Sequence, residues 1–185
     1  MFNHGVKRRK AQSLTEFFMS DKPKIKLELT FFDKVLETLS LVFFAFLWFI
    51  TIWNYSALPK VIPVHFDYKG EADQFGGKGT ILGIPIIATV LYILLTILNK
   101  YPHLHNYATK VTLENAEKNY TRSTRLLRTV KLAILIIFLM IVIQTVEISK
   151  INGTAISVWL LPFSLALIFI PIIISFVRSK RDKIS

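Results

Sequence analysis

The segment VKLAILIIFLMIVIQTVEI, residues 130–148, has one charge near each end and is otherwise almost wholly apolar. Its length is about what an α-helix needs to cross the hydrocarbon core of a bilayer. Because lipid offers the backbone no hydrogen-bond partners, such a segment must be helical. Three further blocks of similar length and composition lie at 36–53, 80–98 and 157–177. A buried helix of a soluble protein would explain one block but not four, so the sequence predicts an all-α integral membrane protein with four transmembrane helices.

The distribution of Lys and Arg predicts the orientation. Of these 23 residues, 19 lie before the first block, between the second and third (counting Lys131), or after the fourth. The other two loops contain only Lys60, Lys69, Lys78 and Lys150. The positive-inside rule places the basic side in the cytoplasm. We therefore expect both termini to be cytoplasmic, and the Lys- and Ile-rich composition indicates a bacterial cell membrane.

The formal net charge of +11 indicates contact with a membrane surface. Basic segments beside membrane spans are attracted to anionic lipids at the cytoplasmic face. Nucleic-acid binding by the basic run at 7–10 is the alternative, but such a run beside a span is more typical of a topology signal. We therefore expect anionic lipids as partners and no nucleic acid. The absence of cysteine excludes disulfides and thiolate metal sites.

These patterns predict five regions. They are a cytoplasmic arm at 1–35, a two-span unit at 36–98 with an outer loop at 54–79, a cytoplasmic loop at 99–129, a second two-span unit at 130–177, and a basic cytoplasmic tail at 178–185. The end of the arm is interpreted either as a short interfacial helix or as the cytoplasmic end of the first span.

The cytoplasmic loop is predicted to be helical and continuous with the third span. Thr112 and Glu114 suit the start of a helix, and no helix-breaking residue follows them. Arg122, Arg125 and Arg128 are three residues apart and therefore lie close to one face. A solvated or phosphate-contacting face is the simpler interpretation, and a docking face for a cytoplasmic partner is the sharper hypothesis.

Few polar residues lie within the spans. Lys131 is expected to extend its amine to the cytoplasmic edge. Gln144 and Glu147 share one face near the outer end of the third span, and ionisable groups inside a membrane are functional candidates. A role in ion or proton passage is one hypothesis, although Glu147 is close enough to the end of its block to meet water.

The outer loop is the candidate site for specificity, and its stretch LPKVIPVHFDYKGEAD spans residues 58–73. A zinc site would usually contain more than its single histidine, His65, and a calcium site would favour more carboxylates. The simpler interpretation has prolines that hold extended backbone, His65 and Phe66 packed on the membrane-facing surface, and Asp73 capping a turn or helix. We expect no metal or cofactor here.

No motif in the chain supports catalysis. The glycine-rich run at 76–80 fails the spacing of a phosphate-binding loop, because Gly79 follows Lys78 where Ser or Thr is required. His103 and His105 are better explained by a turn at the membrane interface than by a metal site. The sequence therefore predicts that the protein is not an enzyme.

The outer loop also contains a series of anchor residues in a defined order. They are Leu58-Pro59, Ile62-Pro63, His65-Phe66, Gly70, Asp73 and Lys78. This series resembles the signature of a bacterial polytopic membrane domain of unknown function (family 1648), whose best-known member is the immunity protein against the sporulation-delaying toxin. The resemblance extends over residues 42–98. It implies an outer loop that meets a peptide toxin or another membrane protein. The recognition residues are then Pro59, Pro63, His65, Phe66, Gly70, Asp73 and Lys78.

Three functions are therefore weighed. The first is a non-enzymatic membrane protein that recognises a peptide or protein through its outer loop, for immunity or sensing. The second is a small accessory subunit of a larger membrane transport or secretion complex. The third is a transporter or channel in its own right. In the immunity protein a second membrane domain follows the motif, and that domain is not recognisable in residues 130–177.

Overall fold

A computed structural model describes residues 22–107 and 109–181, with the side chains of the last segment described to residue 179. Most of the predicted arm, including the basic run at 7–10, and the last four residues of the tail lie outside the described residues. The long helices are α1 (Phe31–Tyr55), α2 (Gly83–Lys100), α3 (Ala116–Lys150) and α4 (Leu160–Arg181). Each is long and apolar enough to cross a membrane, α2 together with the 3₁₀ turn Lys78–Leu82 that precedes it. The prediction of four spanning helices is confirmed.

A capping box fixes the start of α1. The Asp33 amide donates to Thr30 Oγ1 at 3.3 Å, and the Thr30 amide donates to Asp33 Oδ2 at 3.1 Å, so two otherwise unpaired amides are satisfied. The helix then continues unbroken to Tyr55, while residues 22–30 have no helix. The end of the arm is therefore helical only from Phe31 onward, and this part is the end of the first span rather than a separate interfacial helix.

The central helix is α3, whose 35 residues make it about 50 Å long. It extends well beyond a hydrocarbon core of about 30 Å, as predicted for a cytoplasmic loop continuous with the third span. It begins at Ala116 rather than near Thr112, because residues 112–115 form a turn. In this turn the Thr112 amide donates to Asn115 Oδ1 at 3.0 Å.

The core lies where α1, α2 and the C-terminal half of α3 meet. Buried apolar side chains from these helices and from β1 form one cluster, which includes Leu47, Ile62, Ala88, Leu139 and Val142. Helix α4 packs against α3 but is far less enclosed. Only 6% of its most apolar stretch is buried, against 39% for α3. Most of the α4 surface is therefore available to lipid or to a partner.

A β-hairpin between α1 and α2 was not predicted. Strand β1 (Val61–Phe66) pairs antiparallel with β2 (Ala72–Gly77), with an irregular register around His65. The hairpin is joined to the loop between α3 and α4. There the Ala72 amide donates to the Thr154 carbonyl at 2.6 Å, and the Ile156 amide donates to the Gly70 carbonyl at 2.8 Å. Both loops expected on the outer side thus form one small structure at the end of the bundle opposite residues 22–30.

Candidate functional site

The hairpin is anchored to the helices through the predicted recognition residues Pro63 and Lys78. Pro63 is buried in β1, next to Ile62, which is almost fully enclosed by the helix core. Lys78 Nζ donates to the Tyr55 carbonyl at 3.3 Å and lies 5.0 Å from the centre of the Tyr55 ring. The half-buried Pro59 precedes the strand at the end of α1. Lys78 therefore holds the base of the hairpin on α1, whereas Pro63, although buried, also lines a cleft beneath β1.

Gly70 is required by the fold of the hairpin turn. Its φ is +85°, a left-handed conformation that side chains with a Cβ rarely adopt. A Cβ at this position would lie only 2.7 Å from the Ile156 carbonyl oxygen. Asp67 builds the rest of the turn, since its Oδ1 accepts hydrogen bonds from the amides of Lys69 at 2.8 Å and Glu71 at 2.9 Å. The turn is thus a defined structure rather than a loose loop.

His65 and Asp73 form the exposed polar pair of the hairpin. His65 Nδ1 and Asp73 Oδ1 are 2.6 Å apart across the strands, with 59% and 47% of their side chains exposed. The interpretation that Asp73 caps a turn or helix was wrong, because antiparallel pairing brings it beside His65 instead. Exposed pairs of this kind contribute only about 0–1 kcal/mol to stability. These two side chains therefore remain available to a ligand at little cost to the fold.

Phe66 lies over apolar clefts beneath the hairpin, between β1, α3 and the loop before α4. Two adjacent cavities of about 320 and 360 Å³ are both lined by Phe66, Ile141, Ile156 and Leu160. Their volumes fall at the small end of the range for ligand pockets, about 300–1,000 Å³. Each could accept an apolar side chain beside the exposed His65–Asp73 pair.

The described residues contain no cluster of three or more His, Cys, Asp or Glu able to hold a metal ion. In the hairpin, the Asp67 carboxylate accepts hydrogen bonds within the turn, and the Asp73 carboxylate pairs with His65. The expected absence of a metal remains a prediction, and the arrangement favours hydrogen bonding and apolar contact.

A second polar assembly, at the opposite end of the bundle, joins α1 to α3. Arg125 Nε donates to Asp33 Oδ1 at 2.9 Å, and Arg128 Nε donates to Glu37 Oε1 at 3.1 Å. Lys131 Nζ donates to Glu37 Oε2 at 2.6 Å. We call these five residues the ionic clasp.

Lys131 is the most deeply placed member of the clasp. Its side chain is 1% exposed, and its Nζ also donates to Thr96 Oγ1 at 3.1 Å and lies 4.8 Å from the Tyr92 ring centre. The expectation that Lys131 extends to the membrane edge was therefore wrong. Glu37 is a partly buried partner, so the amine is satisfied within the protein.

These contacts place the three arginines of the predicted docking face in different environments. The residues are Arg122, Arg125 and Arg128. Arg128 is buried and faces α1, and Arg125 is partly engaged by Asp33, with 38% of its side chain exposed. Arg122 lines a cleft towards α4. The three arginines therefore do not form one solvated face.

Sequence reasoning missed the ionic clasp, although its spacing is visible in the sequence. Asp33 and Glu37 are four residues apart, and Arg125, Arg128 and Lys131 are three apart, so each set occupies one helix face. Both acids lie within α1, at least two residues after its start. A carboxylate without a partner would be costly there. Matching the two faces would have predicted that α1 and α3 pack together.

At the other end of α3, the polar residues have structural partners. Gln144 Oε1 accepts a hydrogen bond from the Ser157 amide at 2.6 Å, and Lys150 Nζ donates to Asn54 Oδ1 at 2.6 Å. Glu147 is exposed. These contacts connect α3 to α1 and to the loop before α4.

The connection between α2 and α3 forms a 3₁₀ turn at Pro102–Leu104. His105 follows it, with Nε2 2.9 Å from the Leu98 carbonyl and Nδ1 2.6 Å from Ser123 Oγ. Burial lowers the pKa of His105. Burial also raises the pKa of Tyr107 to about 12, and its hydroxyl donates to the Pro102 carbonyl at 2.8 Å. The interpretation of this segment as a turn fits the geometry.

Comparison with known proteins places the hairpin in a recurring domain. Residues 42–89 match a domain of unknown function, DUF1648, and this interval contains every predicted recognition residue of the hairpin. The chain is also similar to an uncharacterized protein of Archaeoglobus fulgidus, with 35% identity over 86 residues, which are 42% of this chain and 47% of that protein. The chain thus spans about half the length of this relative. No solved structure matches the chain.

Proposed function

We propose that this membrane protein recognises a peptide or a protein segment through the hairpin, without catalysis, in immunity or sensing. The observation that carries the proposal is an anchored β-hairpin with an open strand edge, an exposed polar pair and apolar clefts beside it. We assign this face to the outer side of a bacterial membrane on the distribution of Lys and Arg.

The hairpin has two strands among the described residues, so β1 and β2 each pair along one edge only and leave the other edge without a strand partner. An extended peptide can add to such an edge through main-chain hydrogen bonds, while pockets for alternate side chains supply specificity. Val61 and Val64 are exposed on β1. Pro63 has no amide to donate, which restricts the register of an added strand.

The polar pair and the clefts supply specificity beside that edge. His65 and Asp73 offer a donor and an acceptor to a polar side chain, and the clefts under Phe66 accept an apolar one. The immunity form of the proposal rests on the resemblance of the hairpin segment to the family of the immunity protein. A membrane-active peptide that approaches from outside would meet this surface first.

The test is a challenge of sensitive cells with purified sporulation-delaying toxin. Cells that express the wild type should survive, and cells that express His65→Ala with Asp73→Ala should not, at equal protein levels. The matched control is Lys69→Ala with Glu71→Ala, which removes one base and one acid from the turn and should protect. Equal protection by both double variants would reject recognition at this pair. Failure of the wild type to protect would reject immunity to this toxin.

A second candidate is an accessory subunit of a larger membrane complex, which the open surface of α4 favours. Its apolar stretch is 6% buried, so α4 has room for a neighbouring helix. Gentle solubilisation of native membranes and mass spectrometry of the purified tagged protein would test it. A stoichiometric membrane partner would support this function, and purification of the protein alone would argue against it.

A further inference from the structure

A cleft larger than the two beneath the hairpin lies at the opposite end of the bundle, between α3, α4 and the start of α1. Its volume is about 770 Å³, well within the range of small-molecule sites. It does not include the hairpin or any residue assigned to recognition there. Its lining divides into a charged rim and an apolar floor.

The rim is predominantly basic. Four cationic side chains line it, against the two acids Glu114 and Glu117, and the cations are Lys118, Arg122, Arg125 and Arg178. Arg125 already pairs with Asp33, but a third or more of its side chain remains exposed. The cleft therefore complements an anion.

The floor is apolar, and its part on α4 is expected to lie deeper in the membrane than the rim. It is formed on three different helices by Phe32, which lies beside Arg125, and by Leu126, Pro171 and Ile174. Arg178 follows the start of α4 by 18 residues, or about 27 Å, which is close to the thickness of the hydrocarbon core. Arg178 is thus placed at the hydrocarbon boundary, with Ile174 about 6 Å deeper. The cleft presents positive charge at headgroup depth and apolar surface at acyl-chain depth.

We propose that this cleft is a binding site for an anionic phospholipid. The phosphate lies among Arg122, Arg125 and Arg178, and an acyl chain follows the floor along α4. Guanidinium groups match phosphate oxygens in geometry as well as in charge, and basic pockets between transmembrane helices bind lipid headgroups. A free phosphate ion would leave the apolar floor unused. This inference does not depend on the function of the hairpin.

The experiment is native mass spectrometry of the purified full-length protein, with phosphatidylglycerol titrated against phosphatidylcholine. We expect the wild type to retain phosphatidylglycerol preferentially, and Arg178→Gln to weaken its binding about fivefold, the effect of one basic residue at a membrane surface. Ser175→Trp should also weaken binding, because the indole fills the cleft without changing its charge. The matched control Lys100→Gln removes an exposed cation outside the cleft and should bind like the wild type.

Two results would overturn the proposal. One is equal retention of phosphatidylglycerol by the wild type, Arg178→Gln and Ser175→Trp. The other is displacement of the bound lipid by millimolar inorganic phosphate, which would assign the site to the ion alone. Thermal melting of each variant in the same detergent separates loss of binding from loss of fold.

Discussion

Replacing Glu37 by Gln should destabilise the packing of α1 against α3. Glu37 is the shared acceptor of Arg128 and Lys131, at 3.1 and 2.6 Å. The substitution keeps the size of the side chain and removes its charge. Two cations with side chains 7% and 1% exposed then lose their nearest carboxylate.

The magnitude follows from the number of charges left without a partner. Removing one member of a buried ion pair typically costs about 3–5 kcal/mol, because the remaining charge stays buried. Lys131 would keep only Thr96 and the Tyr92 ring, so Glu37→Gln should fall in that range. Lys131→Met should cost less, since Glu37 then keeps its bond to Arg128. The expected order of stability is wild type, then Lys131→Met, then Glu37→Gln.

The assay is reversible unfolding of the purified protein in mixed micelles, by titration with a denaturing detergent. Lys34→Gln is the control, because Lys34 lies in the same helical turn of α1 but is exposed, and it should change the free energy of unfolding by less than about 0.5 kcal/mol. Equal stability of Glu37→Gln and Lys34→Gln would refute the argument that the clasp is buried and mutually dependent.

Three further predictions concern single elements of the fold. Thr30→Ala should cost about 1 kcal/mol by removing the N-cap of α1, measured in the same unfolding titration, and no loss would contradict the capping role. Gly70→Ala should increase amide hydrogen exchange at Ala72 and Ile156, because its Cβ cannot approach the Ile156 carbonyl at 2.7 Å; unchanged protection would show that the turn tolerates a side chain. The pKa of His105 is lowered in the folded protein, so the unfolded chain binds the proton more readily and stability should fall as the pH drops below about 6.5, the unperturbed pKa of histidine. Melting curves from pH 8 to pH 5 should show this fall for the wild type and a smaller one for His105→Gln, and identical pH profiles would reject it.

The four spans could be predicted from the sequence because the bilayer imposes one requirement on each segment. About 20 apolar residues must satisfy their own backbone, so residues 130–148 define a helix without knowledge of its neighbours. The continuity of α3 into the cytoplasmic loop could likewise be predicted from the local sequence alone. Its start was misplaced because the Asn115 side chain closes a turn with the Thr112 amide, and sequence alone does not distinguish such a turn from a first helical turn.

The hairpin and the ionic clasp depend on contacts between distant segments. Strand pairing places His65 beside Asp73, and no pattern within 58–73 required that register. Lys131 was expected at the membrane edge because its partner Glu37 lies 94 residues away. The recognition role of the outer-loop residues stays a prediction, and the structural contacts of Gly70 and Lys78 were not visible in the sequence.

The proposed function requires the hairpin to face the outside of the cell as a recognition surface. Because the chain has no cysteine, two single substitutions at exposed positions can test this: Tyr68→Cys in the hairpin turn and Lys110→Cys between α2 and α3. Intact cells are treated with a membrane-impermeant maleimide and compared with lysed cells. We expect Tyr68→Cys to be labelled in intact cells and Lys110→Cys only after lysis. Labelling of Lys110→Cys in intact cells, with Tyr68→Cys protected, would place the hairpin in the cytoplasm and contradict the claim.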